Sequence, residues 1–180
     1  VVALGAWTRL VDAGLGCPDW PGCYGFVWMP TTESEISQAN ALYPEREFEV
    51  EKAIPEVVHR YFAASLGLLA IFLLFISIKE KKHILTSSLL LAIIIGQGIF
   101  GYLTVSLKLH PLIVTTHLFG AMITTSIFLI IFLRSLKLEH SFQILKANRH
   151  LIIIGFVLII FQIFLGAWTS TNYAARACLD

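Results

Sequence analysis

Charge is scarce in this sequence. Aspartate, glutamate, lysine and arginine make up 14% of its 180 residues, against 57% hydrophobic, and mean hydropathy is +0.77. A soluble domain carries about 25% charged residues, so the chain belongs in a bilayer. With a net charge of only +1 it offers no electrostatic footprint for nucleic acid. Cysteine is nearly absent: there are three, and none sits in the CxxC spacing whose low thiol pKa suits disulfide exchange. An initiating methionine is also missing. The chain opens on VVALGAW and stops at Asp180 directly after an apolar run, so it reads as a fragment, and no signal peptide can be judged from such a start.

Four long, charge-free runs are present instead, at 61 to 78, 84 to 107, 109 to 133 and 150 to 175. Crossing a hydrocarbon core takes about 20 apolar residues per helix, and each run meets or approaches that length. The predicted architecture is all-α and integral to the membrane: a four-helix transmembrane bundle repeat, the first half of a pseudo-twofold eight-helix protein, under a long outer loop cap. Residues 1 to 8 end a first helix, 9 to 54 form the cap with its cysteine pair, 55 to 149 carry helices two to four, and 150 to 180 form helix five, opening a second repeat.

Lysine and arginine orient the spans. KEKKH at 79 to 83 and the turn at 134 to 149 with Arg134, Lys137, Lys146 and Arg149 are basic, and basic turns stay inside. Residues 9 to 60 hold four basic and nine acidic residues, which puts the loop CPDWPGC, 17 to 23, on the outer face. Thiols there tend to be oxidised, so Cys17 and Cys23 are expected to close a small disulfide loop; two free buried thiols are the alternative. Structural zinc ranks lower, because no neighbouring His or Cys completes four ligands. Cys178 has no partner in the chain.

The chain repeats itself at one offset. LGAWTRLVDAGLGCPD at 4 to 19 returns as LGAWTSTNYAARACLD at 165 to 180, with eight of sixteen positions identical, Trp, Cys and Asp among them. A weaker echo matches Gln97, Gly101 and Thr104 to Gln162, Gly166 and Thr169, at i, i+4, i+7 on one helical face. Ordinary membrane packing accounts for the glycines and threonines. For Gln97 and Gln162, a polar ligand is an equally good account. In the cap, 33 to 42 is expected as a short helix, with Phe26, Trp28 and Met29 against the lipid interface or whatever lies below.

Of the six histidines, His83, His140 and His150 adjoin inner turns and His110 the outer interface; His59 and His117 lie deeper. Pro55 and Pro111 suit first helical turns, which would put His59 ~6 Å and His117 ~9 Å along their helices, one layer within ~3 Å. Small residues follow each: Ala63 and Gly67, then Gly120 and Ala121. An ionisable residue at membrane depth needs a partner that hydrocarbon cannot supply. One account has His59 snorkelling with Arg60 while His117 bonds a carbonyl. The other has both imidazoles ligating one heme iron across the flat gap the small residues leave. A metal held by two histidines alone ranks below both. Glu56, on the face of His59, is either a proton acceptor beside a bound cofactor or a charge suited to a helix start. Arg60 is placed to pair with a propionate or with Glu56.

With those residues assembled, the chain resembles the heme A synthase family. The likeness rests on GAWTRLVDAGLGCPDWPGCYG at 5 to 25, EVVHR at 56 to 60, QGIFGYLTVSLKLHPLIVTTHLFG at 97 to 120 and QIFLGAWTSTNYAARAC at 162 to 178. It covers about the first half of the family's eight-helix pattern. The resemblance implies an enzyme that oxidises a methyl of heme O to the formyl of heme A. It implies that His59 and His117 ligate the iron of a substrate heme, with Arg60 and Gln97 also lining the site. Glu56 would be the functional acid, Cys17 and Cys23 the family's outer-loop pair, and a second histidine pair beyond Asp180 would hold heme b. Arg176 and Leu179 depart from the expected pattern, which leaves Cys178 without an assigned partner. Implied partners are heme O, the lipid bilayer, heme O synthase, terminal-oxidase assembly factors and a second copy in a homo-oligomer. The implied setting is the bacterial inner membrane, ranked ahead of the mitochondrial one. A b-type heme electron carrier and a thiol oxidoreductase using CPDWPGC are the rival classes.

Overall fold

A computed structural model of the chain describes residues 1–136 and 148–172. Among these it forms six helices and no β-strand: α1 (Val2–Leu10), α2 (Glu33–Leu42), α3 (Val50–Glu80), α4 (Ile84–Ser106), α5 (Pro111–Ser135) and α6 (Arg149–Thr171). Four of them, α3 to α6, are long and apolar enough to cross a membrane. The expected all-α membrane architecture therefore stands. Lys137, His140 and Lys146, together with Ala174, Arg176, Cys178, Leu179 and Asp180 of the second repeat copy, lie outside the described residues.

Two compact units divide the chain, Val1–His110 and Pro111–Asp180. In the first, α3 and α4 make an antiparallel hairpin through the turn at Lys81 and His83, both left-handed with φ of 53° and 57°. Near that turn the Ser77 and Ser87 hydroxyls lie 2.6 Å apart, fixing the register of the pair. α1 packs on α3. In the second unit α5 packs on α6, with Phe119 of α5 and Phe164 of α6 at 6.5 Å between ring centroids and Phe164 stacked on Trp168 at 6.0 Å. Outward faces of the long helices expose Leu, Ile and Phe, Leu68 at 69% and Leu151 at 69% for example, as lipid contact requires.

The start of α3 corrects the sequence reading. Pro55 was expected in the first turn, but the helix begins at Val50 and carries Pro55 within it. A proline there removes a single N–H, the one that would reach the Glu51 carbonyl, and Glu51 is exposed enough for water to take that carbonyl instead. Depths counted from Pro55 therefore do not hold: His59 lies nine residues, about 13 Å, from the helix start. At 31 residues α3 is about 46 Å long, well beyond a ~30 Å hydrocarbon core. Its buried residues reflect that excess. Ala53, Pro55, Glu56 and Val57 cluster in the first turns, and only Ala70 is buried below them.

What buries those turns is the cap. Cys17, Cys23, Tyr24, Ala39, Ala53 and Val57 form a small core of their own, with Phe26, Met29, Tyr43 and Phe48 against it. Phe26 and Met29 thus belong to the cap interior. Tyr24 is its centre, edge-on to Tyr43 at 5.6 Å and to Phe48 at 5.3 Å, with its hydroxyl donating to the Glu47 carbonyl at 3.1 Å. Burial raises the Tyr24 pKa above the ordinary phenol value.

α2 occupies the span expected of it, and its start is a capping box. Thr32 Oγ1 accepts from Glu35 N at 3.3 Å, while Glu35 Oε2 accepts from Thr31 N at 2.8 Å and Thr32 N at 3.0 Å. These donors lower the Glu35 pKa to about 2. A depressed folded-state pKa means the cap's contribution is complete above the ordinary carboxylate range and disappears as pH falls through about 2. Protection of the Glu33–Leu42 amides, taken against the intrinsic exchange rate at each pH, should therefore stay high from pH 7 down to about 5 and fall as pH is lowered past about 4 toward about 2. Glu35→Gln should show the lower protection throughout.

Candidate functional site

The N-terminal end of α3 presents Glu56 and Arg60 one turn apart on a single face, where an i, i+4 pair can meet. They do: Arg60 Nη2 donates to Glu56 Oε1 at 2.6 Å, with both side chains largely buried. Each partner also reaches into the cysteine loop. Glu56 Oε2 accepts from the Cys17 backbone N–H at 3.0 Å, and Arg60 Nη1 donates to the carbonyls of Asp19, at 2.8 Å, and Gly22. Arg60 was placed by sequence either on a propionate or on Glu56; the structure shows it on Glu56 and on loop carbonyls.

The loop is shaped to be held this way. Cys17 and Cys23 are paired, their Cα atoms 4.8 Å apart. Asp19 accepts from Tyr24 N at 2.6 Å and Gly25 N at 2.8 Å, and Cys23 and Phe26 exchange backbone hydrogen bonds around them. Tyr24 and Gly25 both have positive φ, 57° and 83°, as a type I′ turn demands. Gly16 runs so close to α3 that a Cβ there would overlap the Lys52 carbonyl. Aromatic contacts complete the attachment. Tyr61 of α3 donates its hydroxyl to the Val27 carbonyl at 2.9 Å and packs on Trp28 at 5.0 Å, and Trp20 meets Tyr102 of α4 at 5.7 Å.

His59 lies on the same element as this latch. Its imidazole rests against Gly5 of α1, where an added Cβ would come within 3.1 Å of the ring. Gly5 is one of the positions the repeat preserves, as Gly166, and the space for the ring depends on its having no side chain. On α4, Gln97 is half-buried and its Oε1 is fully buried with no hydrogen-bond partner among the described residues.

In the second unit His117 is half-buried on α5, and its Nδ1 is buried without a partner among the described residues. Thr115, only 4% exposed, carries a hydroxyl in the same condition. Its neighbours behave differently: Thr116, Thr124 and Thr125 each return the hydroxyl to their own helix, to the carbonyls of Leu112, Gly120 and Ala121. Gln162 of α6 lines a shallow groove with Leu158, Ile159 and Phe161. No three of His, Cys, Asp and Glu gather as a metal site among the described residues.

Sequence reasoning placed Cys17, Cys23, Glu56, Arg60, His59, Gln97 and His117, and the structure brings the first four into one network. It missed Asp19, Tyr24, Tyr61 and Tyr102 as the loop's supports, and Gly5 as the seat of His59. The preserved Gly5/Gly166 pair was the available signal for the last.

Buried polar atoms without protein partners are rare in folded chains, and each asks what fills the place. On α5, an imidazole nitrogen and a hydroxyl in this state suit a mostly apolar ligand with a few polar points, and so, in the other unit, does the amide oxygen of Gln97. Imidazole is a common axial ligand of heme iron, so these residues fit such a group.

Comparison with known proteins gives the same direction. A family model described as "Cytochrome oxidase assembly protein", COX15-CtaA, matches residues 1–180. A curated protein of Shewanella oneidensis, "Heme A synthase", is 42% identical over 181 residues, covering 99% of this chain and 55% of that protein. The chain thus spans about half the length of that relative. No solved structure matches.

Proposed function

The chain belongs to the COX15-CtaA family of cytochrome oxidase assembly proteins, and from that premise we propose that the whole protein converts heme O to heme A in a membrane. In this reading His59 and His117 would hold the iron of the substrate heme, and a second heme, of b type, would sit in the half beyond Asp180. Turning the porphyrin methyl into a formyl removes four electrons and installs one oxygen atom from an external oxygen-donating oxidant; a bound heme would supply the redox chemistry. What this chain's own residues do is bind, orient and exclude water. The observation that carries the reading is the 42% identity to a heme A synthase over 99% of this chain, with His117 half-buried on α5.

Glu56 has both carboxylate oxygens engaged, one by Arg60 and one by the Cys17 N–H. Its role here is to hold the oxidised cysteine loop down as an outer lid, keeping water from the layer below; a proton it accepts would take a remaining lone pair and weaken the grip on both donors. Arg60 is the second point of the same latch. The lid faces the outer side of a bacterial inner membrane, with the KEKKH turn inside.

Expressing the full-length gene and extracting its hemes tests the assignment. Formyl heme together with a low-spin bis-histidine spectrum is the expected result. Recovery of unmodified heme alone, with the same spectrum, would instead make the protein a b-type electron carrier.

A further inference from the structure

Gln97 has a buried carbonyl oxygen and no donor to satisfy it among the described residues. The helix hairpin tells where that oxygen lies. Ser77 and Ser87 touch, so equal steps outward along both antiparallel helices keep level: ten residues on, Gln97 of α4 stands opposite Gly67 of α3. Gly67 is eight residues inward of His59, about 12 Å deeper along the helix. Gln97 is also seven residues outward of Leu90, the buried residue of α4, and so shares its face. Around this level there is room: a Cβ added to Gly67, Gly96 or Gly98 would meet nothing within 4 Å.

A group two turns below the ligating imidazole is too deep to touch an iron, yet within reach of a substituent on the porphyrin rim. An amide oxygen there wants a donor. Heme O differs from heme B at one rim position, where a vinyl is replaced by an isoprenoid side chain bearing a hydroxyl next to the ring. That hydroxyl is the one uncharged O–H donor the substrate owns.

We infer that Gln97 Oε1 accepts a hydrogen bond from the hydroxyl of the isoprenoid-bearing side chain, making Gln97 the residue by which the first heme site distinguishes heme O from heme B. The inference rests on the proposed heme site at His59. Discrimination follows from the asymmetry of buried hydrogen bonds: heme O satisfies the amide, whereas a vinyl leaves it unpaired, at a cost that converts to roughly tenfold in affinity.

The test is a titration of full-length protein, stripped of heme, in detergent, with heme O and with heme B, following the low-spin bis-histidine band. Gln97→Met keeps the length and removes the acceptor. It should weaken heme O about tenfold, leave the heme B titration as in the parent, and preserve the band. An unchanged heme O titration overturns the assignment, and so does equal weakening of both hemes, which is what a merely structural glutamine would give. A parallel His59→Ala titration keeps the two ideas apart. Loss there of one of the two titrating heme equivalents, the second-half site keeping its own band, with no effect of Gln97→Met refutes Gln97 alone; two intact equivalents and intact heme O binding in His59→Ala refute the histidine site and this inference with it.

Discussion

Replacing either His59 or His117 with alanine in the full-length protein should abolish formation of formyl heme. The reason is positional as much as chemical: in the proposed site the two imidazoles would fix where the heme sits, and without either one its methyl would no longer be held in place. The measurement is the heme extracted from membranes expressing each variant, beside the parent at equal protein level. Normal heme A from either variant would remove both residues from the site. Because the His59 ring rests on Gly5, Gly5→Val should act in the same direction by pushing the imidazole off its seat.

The second large effect is on stability. Glu56→Ala strands a buried guanidinium and leaves the Cys17 N–H without its acceptor. Breaking a buried pair from one side costs about 3–5 kcal/mol. Denaturation in detergent should show that loss, and amide exchange should show residues 12 to 30 opening first. Converting both partners at once, Glu56→Leu with Arg60→Met, should recover much of it, because no lone charge remains. The pair of variants also decides what the carboxylate is for. A proton acceptor alone would lose turnover in Glu56→Ala while unfolding as the parent does; a lid clamp loses order in the cap first.

Much of this could be read along the chain. The four apolar runs became α3 to α6, and ESEISQANAL became α2, because burial in lipid and a capping box are local signals carried by consecutive residues. The start of α3 was not legible. EVEKAI is charged, Glu49 makes no side-chain cap, and Pro55 mimics a first-turn signal, so nothing in the sequence separates a projecting helix from a loop. The latch was half-legible. Glu56 and Arg60 announce each other at i, i+4, but their loop partners lie about forty positions away in sequence, at Cys17, Asp19 and Gly22, with no periodicity to reveal them. Tyr61 and Tyr102 look like interfacial aromatics until Trp28 and Trp20 are found on them. Gln97 stood out as a polar residue in a greasy run, echoed by Gln162 at the same spacing. Its unmet oxygen is a property of packing, and packing is not written in spacing.

One unbroken rod, α3, serves two masters: its lower turns answer to lipid and its upper turns to the lid. Each residue advances a helix by about 100°. A single extra residue between Arg60 and Ala70 would therefore swing the clamp about a quarter-turn away from the loop it grips, though every side chain named above were still present.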